Sequence, residues 1–174
     1  MMDANNMLLE NCKQKYIYNS TYPLTPPIDS GGKMKFKIAL ISDMDTNSKR
    51  GSDWISTMKL GTLIYYRDEQ FLKIEWDVKS YELKSQLASK GRGMELSELV
   101  VFNGKLYSCD DRTGVVYQIK DHTLIPWVIL TDGNGSTSKE FKCEWLAVKD
   151  MHLIVGGLGK EWTSVTGELQ NFDP

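Results

Sequence analysis

Charged side chains recur where predicted strands end in this sequence of 174 residues. The apolar run IALIS is followed by Asp43 and Asp45, and the run KLYSC by Asp110 and Asp111, directly before Arg112. Aspartate after a strand is ordinary turn chemistry. Grouped with cations, however, carboxylates hold a metal ion or orient a water molecule, while the cations hold phosphate oxygens. The pattern therefore permits both a turn interpretation and an interpretation as a phosphate-processing site.

Two further cations stand beside glycine-rich turns, Arg92 in GRG and Lys160 in GGLGK. Arginine or lysine next to exposed backbone amides suits phosphate binding. Neither segment is a nucleotide-binding fingerprint, because Glu161 stands where a P-loop has Ser or Thr, and Leu96 where a dinucleotide fingerprint has Gly. The phosphate interpretation consequently depends on how the fold groups these residues.

Composition argues against several classes of protein. With 21 basic and 23 acidic residues, the net charge of −2 gives no reason to expect a nucleic acid polymer as partner. The apolar runs are too short for a membrane span, and no signal peptide is visible at the start.

Cys12, Cys109 and Cys143 form no CxxC pair, so we expect no structural zinc site and at most one disulfide. Sequons at Asn19 and Asn134 would be glycosylated only in a secretory lumen.

The apolar pattern predicts an all-β protein. Residues 1–34 are rich in Asn, Pro and Gly and are expected to form an extended or disordered arm. One short helix is predicted around Tyr81–Ser89. The remaining prediction is of nine short strands rich in β-branched and aromatic residues: FKIALIS, GTLIYYRD, FLKIEWDV, SELVVF, KLYSC, GVVYQI, LIPWVIL, EWLAV and HLIVGG. Many short strands with Gly and Asn turns are typical of a sandwich, a barrel or a propeller.

An internal repeat favours the propeller. The segment ELVVFNGKLY, from Glu98, aligns with EWLAVKDMHLIV, from Glu144, and the two glutamates are 46 residues apart. Each copy has a Glu, four mostly apolar residues, a polar turn and a returning strand, and Asn103-Gly104 is a strong hairpin signal. That spacing is close to the length of a four-stranded blade. Carboxylates at matched positions of successive blades would face one channel and suit a hard cation such as Ca²⁺, although hairpins in general also look alike.

Several long motifs resemble the calcium-activated nucleotidase family, the apyrases of blood-feeding insects and their vertebrate Golgi and secreted relatives. The motifs are GRGMELSELVVFNGKLYSCDDRTGVVYQI, PWVILTDGNG, EWLAVKD and GGLGKEWT, with YNSTYPLTPP and IALISDMDTNS near the start. The resemblance covers roughly residues 16 to 170. It implies a five-bladed β-propeller that binds one Ca²⁺ in its channel and hydrolyses nucleoside di- and triphosphates, with UDP and GDP favoured by vertebrate-type members.

The resemblance also implies roles for individual residues. Ser97, Glu98 and Glu144 match the calcium-site positions. Asp43, Asp111 and Glu95 are the expected catalytic residues, and we expect Asp43 and Asp111 to position the attacking water. The expected substrate-binding residues are Asp45, Arg92, Arg112 and Lys160.

The family domain extends well beyond this sequence, so residues 35–174 are expected to form a partial β-propeller with about the first half of the blades. We expect such a chain to be inactive alone. The alternatives are a non-catalytic calcium- or nucleotide-binding module and a structural fragment that associates with another chain. A homodimer is an expected outcome of open sheet edges. The family places the protein in the lumen of the endoplasmic reticulum or Golgi, or outside the cell.

Overall fold

The structure is a computed structural model that describes residues 17–136, 138–159 and 162–171. Residues 1–16 of the predicted arm and the predicted phosphate ligand Lys160 lie outside these ranges. Within them the protein is all-β, as predicted, and contains no helix long and apolar enough to cross a bilayer.

The chain forms short and long strands in succession, interrupted once by a 3-10 turn at Asp45–Ser48. The strands are β1 (Ile28–Asp29), β2 (Lys33–Ser42), β3 (Lys49–Arg50), β4 (Asp53–Tyr66), β5 (Phe71–Ser85), β6 (Leu96–Phe102), β7 (Lys105–Asp110), β8 (Val115–Lys120), β9 (Thr123–Ile129), β10 (Trp145–Lys149), β11 (His152–Gly156), β12 (Trp162–Thr163) and β13 (Leu169–Asn171). Each of the nine predicted strands is present. The strand β1 lies within the predicted arm and pairs with β2.

The predicted helix at Tyr81–Ser89 is wrong. Strand β5 continues to Ser85, and its second half pairs with β4, so that Tyr81 lies opposite Met58 and Leu83 opposite Ser56. Leu83 is fully buried against the next sheet. Helix propensity over YELKSQLAS is a weak preference, and pairing with a long neighbouring strand together with burial of Leu83 overrides it.

The Asn103-Gly104 hairpin is confirmed. Phe102 pairs with Lys105, and the two turn residues have φ angles of 49° and 67°, as a type I′ turn requires. The β8–β9 connection, Asp121-His122, is built in the same way. These two tight turns and the four-residue β7–β8 connection join β6, β7, β8 and β9 into one antiparallel meander.

The sheets pack face to face around two cores. The first core lies between β4 and β5 on one side and the four-stranded sheet on the other. The second lies on the opposite face of the four-stranded sheet, against the β10–β11 hairpin. Neighbouring residues of β8 therefore face different cores, Val115 and Tyr117 the first and Val116 the second. The described sheets are open, and the four-stranded meander has the size of one propeller blade.

This packing brings several connections to one end of the four-stranded sheet. The 86–95 connection enters β6 where Leu96 pairs with Asp110, the last residue of β7. The β7–β8 turn follows at once, and β9 ends there too, because Ile129 pairs with Val115. Of the charged residues singled out in the sequence, Arg92, Glu95, Asp111 and Arg112 lie on these connections.

Candidate active site

A cleft of about 190 Å³ opens between these connections. Its lining comprises five basic and two acidic residues together with one serine: Ser89, Lys90, Arg92, Asp111, Arg112, Lys139, Glu140 and Lys142. The predicted substrate ligands Arg92 and Arg112 and the predicted catalytic residue Asp111 are thus brought together. A cleft lined mainly by cations attracts anionic ligands.

Glu95 holds both arginines of the cleft. Its carboxylate accepts hydrogen bonds from Nε and Nη2 of Arg92, each at 2.6 Å, and from Nε of Arg112 at 2.9 Å. Only 2% of the Glu95 side chain is exposed, against about a third of each arginine. Burial opposes the charged carboxylate, but the bonds from Arg92 and Arg112 outweigh it, so the pKa of Glu95 lies below its usual range.

Asp43 and Asp45, which follow β2, lie near Glu95 and its arginines. Arg92 also donates to Asp45, an exposed residue with a φ angle of 48°. Asp43 accepts the backbone N–H of Asp45 at 2.6 Å. Partial burial, followed by the nearby negative charge of Glu95, raises the pKa of Asp43. The predicted set Asp43, Asp45, Arg92 and Glu95 is therefore one cluster in the structure.

Asp111 forms a second charged group with Lys142 and Glu144. Lys142 donates to Oδ2 of Asp111 at 2.7 Å and also to Glu144. The other carboxylate oxygen of Asp111 is buried and has no hydrogen-bond partner among the described residues. Burial raises the pKa of Asp111, although Lys142 and Arg112 act in the opposite direction. Burial also disfavours the Lys142 ammonium, but its bonds to both carboxylates raise its pKa overall. Both pKa values are raised, which favours the neutral form of Asp111 but the charged form of Lys142, because Asp111 is the more deeply buried partner.

Asp110 anchors the turn that carries Asp111 and Arg112. It is fully buried, and its carboxylate accepts from the backbone N–H of Met94, Glu95 and Arg112 and from the Thr113 hydroxyl, at 2.7 to 3.2 Å. These bonds join the segment before β6 to the β7–β8 turn. The relative position of Glu95 and Arg112 therefore depends on Asp110.

Of the predicted calcium ligands, Ser97 and Glu98 lie next to each other on β6, while Glu144 contacts Lys142 of the cleft. A bulge in β6 between Ser97 and Val100 gives Glu98 a φ angle of 62°. Glu98 is exposed, and its carboxylate accepts the N–H of Leu99. Glu144 instead joins the cleft through Lys142, and no hydrogen bond or ion pair between described residues links it to Ser97 or Glu98. The described ranges contain no group of three or more His, Cys, Asp or Glu side chains arranged to hold a metal ion.

A disulfide fastens the two sides of the cleft. Cys109, at the end of β7, is bonded to Cys143, just before β10, and both are fully buried. Asp111 follows Cys109 by two residues, while Lys142 and Glu144 flank Cys143. The sequence predicted at most one disulfide, and the structure identifies its partners.

Sequence reasoning assigned no role to Asp110 and missed five residues of the cleft: Ser89, Lys90, Lys139, Glu140 and Lys142. Lys142 and Glu144 are two residues apart in an extended segment, a spacing that places both side chains on the same side. That alternation was the available signal for Lys142. Asp110 and Asp111 look alike in the sequence, and only burial distinguishes the structural residue from the one that lines the cleft.

The cleft and the sheets that frame it define an all-β protein whose cationic site contains buried carboxylates. The sequence profile of the Apyrase family matches residues 42–174. This chain belongs to the apyrase family.

Three relatives show how much of the family's length is present. The chain is 56% identical over 159 residues to the soluble calcium-activated nucleotidase 1 of Rattus norvegicus, covering 90% of this chain and 40% of that protein. It is 46% identical over 160 residues to an apyrase of Cimex lectularius, covering 90% of this chain and 44% of that one. An apyrase of Caenorhabditis elegans is 46% identical over 163 residues, covering 93% and 46%. The chain spans less than half the length of these relatives.

Proposed function

We propose that this chain contributes the phosphate-binding side of a calcium-dependent nucleoside di- and triphosphate hydrolase, with UDP- and GDP-type substrates. The observation that carries the proposal is the cleft in which Arg92, Arg112 and Lys142 converge beside buried Asp111. Guanidinium groups bind phosphate oxygens in two-point contacts, and a carboxylate beside them orients a water molecule. Membership of the apyrase family supports the same reaction class.

In this proposal the cations hold the polyphosphate and offset the charge that develops on it during hydrolysis. Asp111 lines the cleft and has one carboxylate oxygen without a hydrogen-bond partner among the described residues. Because that oxygen is buried, the side chain has to turn it toward the cleft before it can accept the attacking water. Its raised pKa makes it a better proton acceptor than an exposed aspartate. Asp43, which interacts electrostatically with Arg92, Arg112 and Lys142, is a second candidate for this role.

The residues proposed to bind calcium have suitable donor chemistry. Ca²⁺ takes oxygen ligands, which Ser97, Glu98 and Glu144 supply as a hydroxyl and two carboxylates. The β6 bulge is the kind of irregularity that redirects side chains beside active sites. A bound calcium ion would add positive charge next to the phosphate oxygens.

A non-catalytic binding module is the second candidate, because the described residues contain no group of three or more His, Cys, Asp or Glu side chains arranged to hold a metal ion. In this case we expect the chain to bind nucleotide without turning it over when it is alone. A five-bladed propeller completed by further blades is the proposed setting for turnover, because a channel site takes ligands from several blades.

Binding and phosphate release by the purified chain test the proposal together. UDP, GDP and ADP are titrated calorimetrically with Ca²⁺ or with a chelator, and phosphate release is measured in the same samples. We expect calcium-dependent binding of UDP that Glu144→Ala weakens and that Glu69→Ala, a change in the remote β4–β5 turn, leaves unchanged. Phosphate release lost on Glu144→Ala would also support the hydrolase and would show that copies of the chain assemble a working site. Absence of binding to any of the three nucleotides would contradict the proposal.

The disulfide supports a proposal on location. Disulfides persist in oxidising compartments and are rare in the cytosol. A buried Cys109–Cys143 bond therefore supports the lumen of the endoplasmic reticulum or Golgi, or secretion.

A further inference from the structure

We infer that Glu95, first interpreted as a catalytic residue, is a positioning residue that holds Arg92 and Arg112 as a paired receptor for a diphosphate group. The inference rests on the proposed function for its ligand class. It assigns Glu95 no contact with the substrate and no proton transfer.

The contacts of Glu95 argue against catalysis by this carboxylate. Both of its oxygens accept hydrogen bonds from guanidinium groups, at 2.6 and 2.9 Å, and its side chain is 2% exposed. The two arginines compensate for its burial and keep it ionised. A buried carboxylate with both oxygens engaged is a poor acceptor for a proton from water.

The same contacts orient both arginines. Glu95 takes the Nε edge of each guanidinium, including Nη2 of Arg92, so Nη1 of Arg92 and both terminal nitrogens of Arg112 are left for another acceptor. No described residue accepts from Nη1 of Arg92 or from either terminal nitrogen of Arg112, and both side chains line the cleft. Two guanidinium groups placed side by side would repel each other, and the shared carboxylate offsets that repulsion. Together with Glu95 the pair carries a net charge of about +1, and it presents several N–H donors to one anion.

Asp45 also binds Arg92, but unlike Glu95 it is exposed to solvent. Its side chain is 70% exposed on the turn after β2, and it accepts from the same Nη2 atom that binds Glu95. An arriving phosphate displaces an exposed carboxylate more readily than a buried one, because the exposed one regains its hydration. Asp45 is thus the group that a phosphate oxygen replaces, while Glu95 stays in place.

A purely electrostatic effect of Glu95 and a positioning role predict opposite effects of its removal on anion binding. Removing a negative charge beside an anion site should tighten anion binding if charge alone matters. If Glu95 orients the arginines, its loss weakens binding although a negative charge has gone. Removal of Asp45 tightens binding in both cases.

The experiment titrates inorganic pyrophosphate into the chain by calorimetry, with chelator present, well below the unfolding temperature of each variant. We expect Glu95→Gln to weaken binding about tenfold, the loss of a charge-assisted contact, and Asp45→Asn to tighten it about twofold. Glu69→Gln removes the same charge from the β4–β5 turn. It lies about 30 Å along β4 from the strand end beside Asp43, and should have no effect.

Unchanged or tighter binding by Glu95→Gln would overturn the inference, and so would weaker binding by Asp45→Asn. If Glu95→Gln does not fold, the Arg112→Lys variant tests the inference instead. Lysine keeps the positive charge but lacks the planar guanidinium, which can donate to Glu95 along one edge and to an anion along another. Affinity unchanged in Arg112→Lys would overturn the inference, and a loss of about fivefold or more would support it. Because pyrophosphate carries no nucleoside and calcium is absent, these results stand whether or not the chain binds or hydrolyses nucleotides.

Discussion

At the residue scale, the site depends on which carboxylates are buried and which cations satisfy them. Asp110 and Asp111 are adjacent, yet Asp110 binds four donors of the surrounding backbone and turn, while Asp111 lines the cleft and has one buried oxygen without a hydrogen-bond partner among the described residues. The first stabilises the folded turn. Burial raises the pKa of the second, as is common for reacting groups, and this fits the proposed role of Asp111.

Removal of Asp110 tests the structural role. We expect Asp110→Ala to lower the free energy of unfolding by about 3 kcal/mol, because three buried backbone N–H groups and the Thr113 hydroxyl lose their acceptor. Urea denaturation at pH 7 measures the change. Asp77→Ala, on an exposed part of β5, should stay within about 0.5 kcal/mol of the parent chain. A similar loss in both variants would show that Asp110 is not an anchor.

The lowered pKa of Glu95 predicts the direction in which the stability of the protein changes with pH. Its pKa is lowered in the folded state, so the stability it contributes is fully present above its unfolded pKa of about 4.3 and is lost as the pH falls through the folded value. Asp43 and Asp111, whose pKa values are raised, shift stability in the other direction. Burial is the main cause of both shifts and is the same in the parent chain and in Glu95→Gln, whereas the smaller effect of the Glu95 charge on both groups is lost in the variant.

Urea midpoints at pH 7, 4 and 3 for the parent chain and Glu95→Gln measure this difference. The stability advantage of the parent chain should shrink between pH 5 and pH 3, because glutamine does not titrate. An advantage that is constant across this range would show that Glu95 is not held ionised by its arginines.

At the element scale, the site is assembled by connections and not by strand interiors. The segment before β6, the β7–β8 turn and the segment before β10 meet at one end of the four-stranded sheet, and the Cys109–Cys143 bond ties the last two together. Cys109 and Cys143 are separated by 34 residues along the chain. Closing such a loop removes much of the freedom of the unfolded chain.

Breaking this bond tests its contribution. We expect the double variant Cys109→Ala/Cys143→Ala to lose about 4 kcal/mol of stability, the value for a loop of this length. The loss should appear in urea denaturation, and affinity for pyrophosphate should fall with it, because Lys142 is no longer fastened beside Asp111. Reduction of the parent chain should reproduce both effects. Unchanged pyrophosphate affinity in a folded variant would confine the disulfide to a stabilising role.

At the scale of the whole molecule, one sheet face is apolar and open. Leu72, Ile74, Trp76 and Val78 alternate with charged residues along β5, and all four are exposed. Among the described strands, β5 pairs only with β4, so its other edge is free as well. An apolar face beside a free strand edge favours association with another chain.

We therefore expect the chain to self-associate as its concentration rises, and sedimentation velocity measures this. Ile74→Lys should shift the population toward monomer. Asp77→Asn adds the same charge increment on the opposite face of the strand and should leave association unchanged. Monomer at every concentration, or equal effects of the two variants, would contradict a role for this face.

The sequence by itself determined the all-β class, the nine strands, the Asn103-Gly104 hairpin and the family, because these depend on local alternation, turn residues and long motifs. That Asp43, Arg92, Glu95 and Asp111 serve one functional site stays a prediction from the family resemblance. Only the tertiary structure decided that the segment around Leu83 is a strand, and that Glu95 binds two arginines. Pairing with β4 and burial beside distant side chains fix both features, and neither is encoded in the residues next to them.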